Sequence, residues 1–110
     1  MPRMMTLDNE TFVVLPKQDY QDLVARSHGV ALPAYPRADR KGRRPAIAFA
    51  RTSVAREIIT RRLAAGWTQE KLARRAGVRV ETISRLEGAK HQPQQATIEK
   101  IDRALTRAGA

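Results

Sequence analysis

The stretch GWTQEKLARRAGVRVETISRLEGAKHQP, residues 66–93, has the pattern of two short helices joined by a sharp turn. Leu72, Ala73 and Ala76 recur at helical spacing and give the first helix an apolar inward face. Ala73 is small enough to let a second helix cross closely. Gly77 then provides a residue without a Cβ where the backbone must turn into the left-handed region. The pattern therefore predicts that the chain changes direction within three or four residues.

The second helix of this stretch turns its apolar and polar side chains to opposite sides. Ile83 and Leu86 supply its inward face. The other side chains of this helix are mostly polar and are expected to point mainly away from the core: Arg79, Val80, Glu81, Thr82, Ser84 and Arg85. This outward row is the predicted contact surface for a macromolecular partner.

The charge of the chain indicates what that partner is. The 110 residues include 21 Lys and Arg against 11 Asp and Glu, a formal net charge of +10 with a sequence pI near 11.2. Residues 1–36 carry three basic and four acidic side chains, and residues 37–110 carry the remaining eighteen and seven. Such a basic segment favours a nucleic-acid partner.

The segment from Ser53 to Leu105 resembles the Cro/phage-repressor class of helix-turn-helix proteins, often called the Xre family. Thr68–Gln69 at the entry of the motif, Ala76–Gly77–Val78 in the turn and Leu86–Glu87 at the exit stand in the family's register, and Pro93 precedes a last amphipathic helix. The resemblance implies a mainly α fold with a four-helix domain, and binding of double-stranded DNA through the major groove.

The resemblance also implies a role for each matching position. The residues expected to face base edges are Arg79, Val80, Glu81, Ser84 and Arg85. The residues expected to contact the DNA backbone are Gln69, Thr82, Lys90, His91 and Gln92. Gln69 is also expected to brace the recognition helix. Arg62 and Glu87 match a pair that links the first helix of the domain to the end of the third, and an ion pair is expected there. The alternatives from the residues alone are a solvated helix face, a Glu81–Arg85 pair four residues apart, and a plain polar loop at residues 90–92.

The N-terminal part predicts a small strand-helix segment. Residues 11–15 are β-branched and apolar and indicate one short strand. Tyr20, Leu23 and Val24 form one apolar face of a following helix. The predicted organisation is a strand-helix segment at residues 1–31 for dimerisation or toxin docking, an extended Pro/Arg-rich linker at 32–52, and the helix-turn-helix domain at 53–110.

The order of these parts resembles small bacterial antitoxins that repress their own operon and neutralise a RelE-like toxin. That resemblance implies a repressor that binds an inverted repeat as a homodimer and has a toxin partner. Two alternatives remain at this stage. One is a stand-alone Cro-like regulator, and the other is an adaptor that uses the fold to bind protein or RNA.

Other classes of function have little support in the sequence. No paired nucleophile and base, carboxylate pair or glycine-rich phosphate loop suggests an enzyme. Cysteine is absent, and neither His28 nor His91 has companions at metal-ligand spacing, so neither a metal nor a cofactor is expected. With no apolar run long enough for a membrane span or a signal peptide, a cytoplasmic location is expected.

Overall fold

The fold is a helical domain preceded by a hairpin and one further helix. The computed structural model describes residues 3–110. Its elements are β1 (Arg3–Leu7), β2 (Glu10–Val14), α1 (Lys17–Ser27), α2 (Ala46–Ala64), α3 (Gln69–Ala76), α4 (Val80–Glu87) and α5 (Gln95–Arg107). The predicted fold class, mainly α with a small strand-containing segment at the N-terminus, is confirmed.

The hydrophobic core lies among α2, α3, α4 and α5. Its buried members are Ile58, Leu72, Ala73, Ala76, Ile83, Leu86, Ile101, Ala104 and Leu105. Val54, Trp67, Val78, Val80 and Ile98 pack against this cluster from its edge. Because α3 and α4 each have only eight residues, their stability depends on this shared apolar contact more than on intrinsic helix propensity.

Residues 3–14 form a hairpin, whereas the sequence pattern predicts only one strand, at residues 11–15. β1 and β2 pair antiparallel, with Met5 opposite Phe12. Asp8 and Asn9 connect them with φ values of 51° and 67°. Two consecutive positive φ values are what a tight two-residue hairpin turn requires, and Asp and Asn tolerate them better than most residues. The Asp8–Asn9 dipeptide was the sequence signal that could have predicted β1.

Helix α1 packs against α2 through the side that carries Gln21 and Ala25. Gln21 and Ala25 are buried, whereas Tyr20 and Leu23, two members of the predicted apolar face, remain about half exposed. The reason is Arg56 on α2, whose side chain is only 4% exposed and needs polar partners. A buried guanidinium without hydrogen bonds is costly, and this requirement selects the Gln21 side of α1.

Those partners form a group that we call the Arg56 cluster. Arg56 Nε donates to Gln21 Oε1 at 3.1 Å, Nη1 donates to the Pro33 carbonyl at 3.0 Å, and Nη2 bonds to the Asp22 carboxylate. The guanidinium carbon also lies 5.0 Å from the centre of the Tyr35 ring. The cluster joins α1, the following segment and α2.

The segment expected to be a linker is shorter and less extended than predicted. Helix α2 begins at Ala46, so residues 46–52 are helical, in keeping with their high alanine content. Residues 30–39 contain no helix or strand, but Tyr35 stacks on Phe49 with ring centres 4.7 Å apart. Together with the Pro33 contact to Arg56, this stacking holds the segment against α2.

Within residues 3–110, no helix combines the length and the apolar character needed to cross a bilayer.

Candidate nucleic-acid interface

The turn between α3 and α4 has the geometry that the sequence predicts. Gly77 ends α3 in the left-handed region, with φ 71° and ψ 35°. Val78 N donates to the Ala73 carbonyl at 3.0 Å, and Gly77 N donates to the Arg74 carbonyl at 3.3 Å. These two bonds define a Schellman motif, and the packing of Val78 against the core completes it. The start of α3 is equally well defined, because Thr68 Oγ1 accepts from Lys71 N at 3.1 Å.

Helix α4 begins directly after this turn and presents a polar face to solvent. Ile83 and Leu86 are buried in the core. The exposed residues at the start and along the outer face of the helix are Arg79, Glu81, Ser84 and Arg85. Four of the five residues predicted to read bases are therefore accessible, and we call this group of exposed residues the reading face.

Val80, the fifth predicted base-reading residue, lies elsewhere. It is partly buried and packs against the hydrophobic core. The expectation that it points mainly away from the core was wrong, because Val80 stands three residues before Ile83 and therefore shares the inward side of α4.

A buried ion pair fixes the end of α4 to the first helix of the domain. Arg62 Nε and Nη2 donate to the two carboxylate oxygens of Glu87 at 2.8 and 2.9 Å. The Arg62 and Glu87 side chains are only 11% and 6% exposed. Gln69 Nε2 donates to Glu87 Oε1 at 3.0 Å, and Arg62 Nη1 donates to the Trp67 carbonyl at 2.9 Å. This group, the Glu87 cluster, connects α2, the start of α3 and the end of α4.

The Glu87 cluster also determines what Gln69 does. The sequence assigned Gln69 to the DNA backbone and to bracing the next helix. Its amide nitrogen is directed at Glu87, so the bracing contact is present in the structure, and the side chain is partly buried. Because an amide nitrogen carries two hydrogens, one donor remains for another acceptor.

The other residues assigned to the DNA backbone lie at both ends of α4. Thr82 is partly buried in its first turn. Lys90, His91 and Gln92 are exposed in the loop between α4 and α5, where Ala89 adopts a φ of 58°. The structure thus places the loop residues just beyond the C-terminal end of the reading face.

Several cations around α4 have no carboxylate partner within residues 3–110. The ion pairs found there involve Lys17, Arg43, Arg56, Arg61 and Arg62. Arg79, Arg85 and Lys90 are not among them, and Glu81 does not pair with Arg85, so the alternative of a mutually neutralised helix face is not what the structure shows. Free guanidinium groups can donate two hydrogen bonds to guanine or to a phosphate.

Two further cations near the turn were missed in the sequence analysis. Arg74 and Arg75, in the last turn of α3, are exposed and also lack a carboxylate partner among the described residues. Their position between the inward residues Ala73 and Ala76 was the available signal. They extend the positive surface beside the turn.

A comparison with protein families agrees with this geometry. The model of the family described as "Helix-turn-helix" matches residues 58–107, which include the turn, the reading face and the Glu87 cluster. Residues 58–107 therefore match a helix-turn-helix family of the Xre/Cro-like type. Neither the search of curated proteins nor that of solved structures found a match.

The match supports a DNA-binding transcriptional regulator. In the helix-turn-helix motif, α3 is the first helix and α4 is the second.

Proposed function

We propose that this regulator is a sequence-specific repressor, without catalytic activity, that binds an inverted-repeat operator as two copies. Each copy inserts α4 into the major groove of one half-site. A protein bound over a promoter excludes other proteins from the same DNA by its volume, so repression needs no additional contact surface. The observation that carries the proposal is the reading face, which is accessible and free of internal ion pairs while both ends of α4 are fixed.

The charged side chains of the reading face suit base readout. Arg79 and Arg85 can each donate to O6 and N7 of guanine, and Glu81 can accept from N4 of cytosine. The Schellman turn and the Glu87 cluster hold α4 in place, so little ordering is required when DNA binds. Lys90, His91 and Gln92 can position the domain through phosphate contacts, which contribute affinity but no sequence information.

The test is selection of operator DNA from random duplexes, followed by titration of the full chain with the selected and a scrambled duplex. A sequence-specific repressor is expected to prefer the selected duplex by about a thousandfold or more at physiological salt. Arg85→Ala should reduce this ratio, and the matched control Arg103→Ala, which removes an exposed arginine from α5, should leave it intact. Equal affinity for both duplexes would exclude sequence-specific repression and favour an adaptor.

The second candidate function is that of an antitoxin that also neutralises a RelE-like toxin. The observation in its favour is the outer side of α1, where Tyr20 and Leu23, one helical turn apart, are both about half exposed. A toxin bound there would leave α4 available for DNA, so one chain could repress and neutralise together.

Co-expression tests this candidate. The small protein encoded beside this gene is expected to arrest growth when produced alone and to be harmless when this chain is present. Tyr20→Asp with Leu23→Asp should abolish the rescue, whereas Asp19→Ala, which changes an exposed residue of the same helix, should retain it. A neighbouring product that does not affect growth would leave a stand-alone regulator as the function.

A further inference from the structure

The hairpin exposes an apolar face that nothing in the described chain covers. In the β1–β2 register, side chains of paired residues lie on the same side of the ribbon. One side therefore combines Met5, Leu7, Phe12 and Val14, which we call the apolar hairpin face. Their exposed fractions range from 42% to 56%, and every residue of both strands is exposed.

An isolated ribbon of this kind is unfavourable in water. Two strands without a third strand or a covering layer are marginally stable, and their free edges invite pairing with other chains. The opposite side of the ribbon is less apolar, since Met4 and Val13 alternate there with Thr6 and Thr11. The apolar hairpin face is thus the side that gains most from a covering partner.

The charge distribution makes the N-terminal segment the part of the surface where a second copy of this chain can approach most easily. Two copies each carrying a net charge of +10 repel one another over most of their surface. The segment of residues 1–36, with three basic and four acidic side chains, is the part where this repulsion is weakest. A nucleic acid, in contrast, has no reason to choose a surface of Met, Leu, Phe and Val.

The ends of the apolar hairpin face are also complementary to each other. Arg3 stands at the open end of the ribbon beside Val14, and Glu10 stands at the turn end beside Leu7, both on the same side as the apolar residues. A two-fold axis that lies between the two packed faces, perpendicular to the strands, reverses the direction of the second ribbon. Arg3 of one copy then lies near the partner's Glu10, and the same contact occurs twice.

We propose that the apolar hairpin face packs on the same face of a second copy and that this contact joins two reading faces into one operator-binding unit. The inference rests on the proposed function in one respect, because an inverted repeat requires two copies held together. The hairpin is connected to α1 through only Leu15 and Pro16, and α1 is fixed to α2 by the Arg56 cluster. Contact between hairpins is therefore expected to constrain the distance between the two α4 helices.

Sedimentation of the full chain without DNA tests this contact. The wild-type chain is expected to sediment as a dimer, twice the 12.3 kDa of one copy, at concentrations of about 1 to 100 μM. Phe12→Glu should weaken the dimer about a hundredfold or more, because it buries a charge in the contact. The matched control Val13→Glu changes the neighbouring residue on the opposite side and should leave the dimer intact. A monomeric wild-type chain, or equal effects of the two variants, would overturn the proposal.

Charge reversal separates a second copy from any other partner. Arg3→Glu and Glu10→Arg should each weaken the dimer, and the double variant should restore it, since the contact is symmetric. Failure of the double variant to recover would overturn the two-fold arrangement. Helical circular dichroism and affinity for a single half-site should stay unchanged in all these variants. If the wild-type chain does not bind a half-site, the proposed function is contradicted. The sedimentation result still decides whether the hairpins form a dimer.

Discussion

Arg62 on α2 and Glu87 at the end of α4 form a bidentate ion pair, with nitrogen–oxygen distances of 2.8 and 2.9 Å. Both side chains are almost excluded from solvent. Removal of this ion pair has a predictable cost. Glu87→Ala leaves the Arg62 guanidinium without its carboxylate partner and the Gln69 amide without its acceptor, and should lower the free energy of unfolding by about 3–5 kcal/mol.

Urea denaturation monitored by circular dichroism measures this effect. The control Glu99→Ala removes an exposed carboxylate from α5 and should change stability by less than about 0.5 kcal/mol. Equal losses in the two variants would show that the ion pair is not a special contributor.

Arg85 is expected to specify one base pair of the operator. Arg85→Ala should cost about 1–3 kcal/mol of binding free energy and relax the preference at a single position. Fluorescence anisotropy with a set of single-base operator variants measures the profile. A base-preference profile identical to that of the wild-type chain would show that Arg85 does not specify a base pair.

Lys90 is expected to contact phosphate and not bases. Lys90→Ala should weaken binding to all duplexes alike and reduce the slope of log affinity against log salt by about one. Titrations over a range of salt concentrations provide this slope, with Lys100→Ala on α5 as the control of equal charge. An unchanged slope for Lys90→Ala would argue against a phosphate contact.

The Arg56 cluster is expected to hold α1 on α2. Arg56→Ala removes the donor shared by Gln21, Asp22 and Pro33, so the amides of α1 should exchange with solvent much faster. Hydrogen exchange read by mass spectrometry resolves α1 from the remaining helices. Lys17→Ala removes only the exposed Lys17–Glu57 pair from the same contact and should have little effect. Unchanged protection of α1 in Arg56→Ala would contradict this role.

Asp39 is expected to make the stability of the turn at residues 39–43 depend on pH. The Arg43 amide above all, with the Lys41 amide and the Arg43 guanidinium, donates to the carboxylate and holds the pKa of Asp39 below its ordinary value. A lowered pKa in the folded state means that the turn is stabilised above the unfolded pKa of about 3.9, and that this contribution is lost as the pH falls through the folded pKa.

A carboxyl ¹³C titration of Asp39 checks this direction. Arg43→Ala keeps the backbone donor, so the pKa of Asp39 should remain below its ordinary value in that variant. An ordinary pKa in the wild-type chain would mean that the turn does not form in solution.

Local chemistry made the helix-turn-helix motif predictable from the sequence. Thr68 and Gly77 mark the two ends of α3 through capping and backbone conformation, which depend on neighbours a few residues away. The inward residues of α3 and α4 follow from helical periodicity alone. The mistake at Val80 arose where one residue at the edge of the helix can belong to either side.

The N-terminal part was less predictable because distant residues determine it. The side of α1 that faces α2 depends on Arg56, about 35 positions further along the chain, and no periodicity within α1 reports that. Helix α2 extends beyond its expected start because residues 46–52 are compatible with both a helix and a connecting segment. The hairpin was missed although its signal, Asp8–Asn9, was local and readable.

The buried guanidinium of Arg56 has a practical consequence for transplanting this DNA reader into other proteins. A fragment that begins at Ser53, where the family resemblance begins, would contain Arg56 without its acceptors Gln21, Asp22 and Pro33. The surface of α2 that packs against α1 would also be exposed to solvent. The smallest fragment that keeps these contacts therefore starts at Lys17, where α1 begins, and a fusion partner is best attached before that residue.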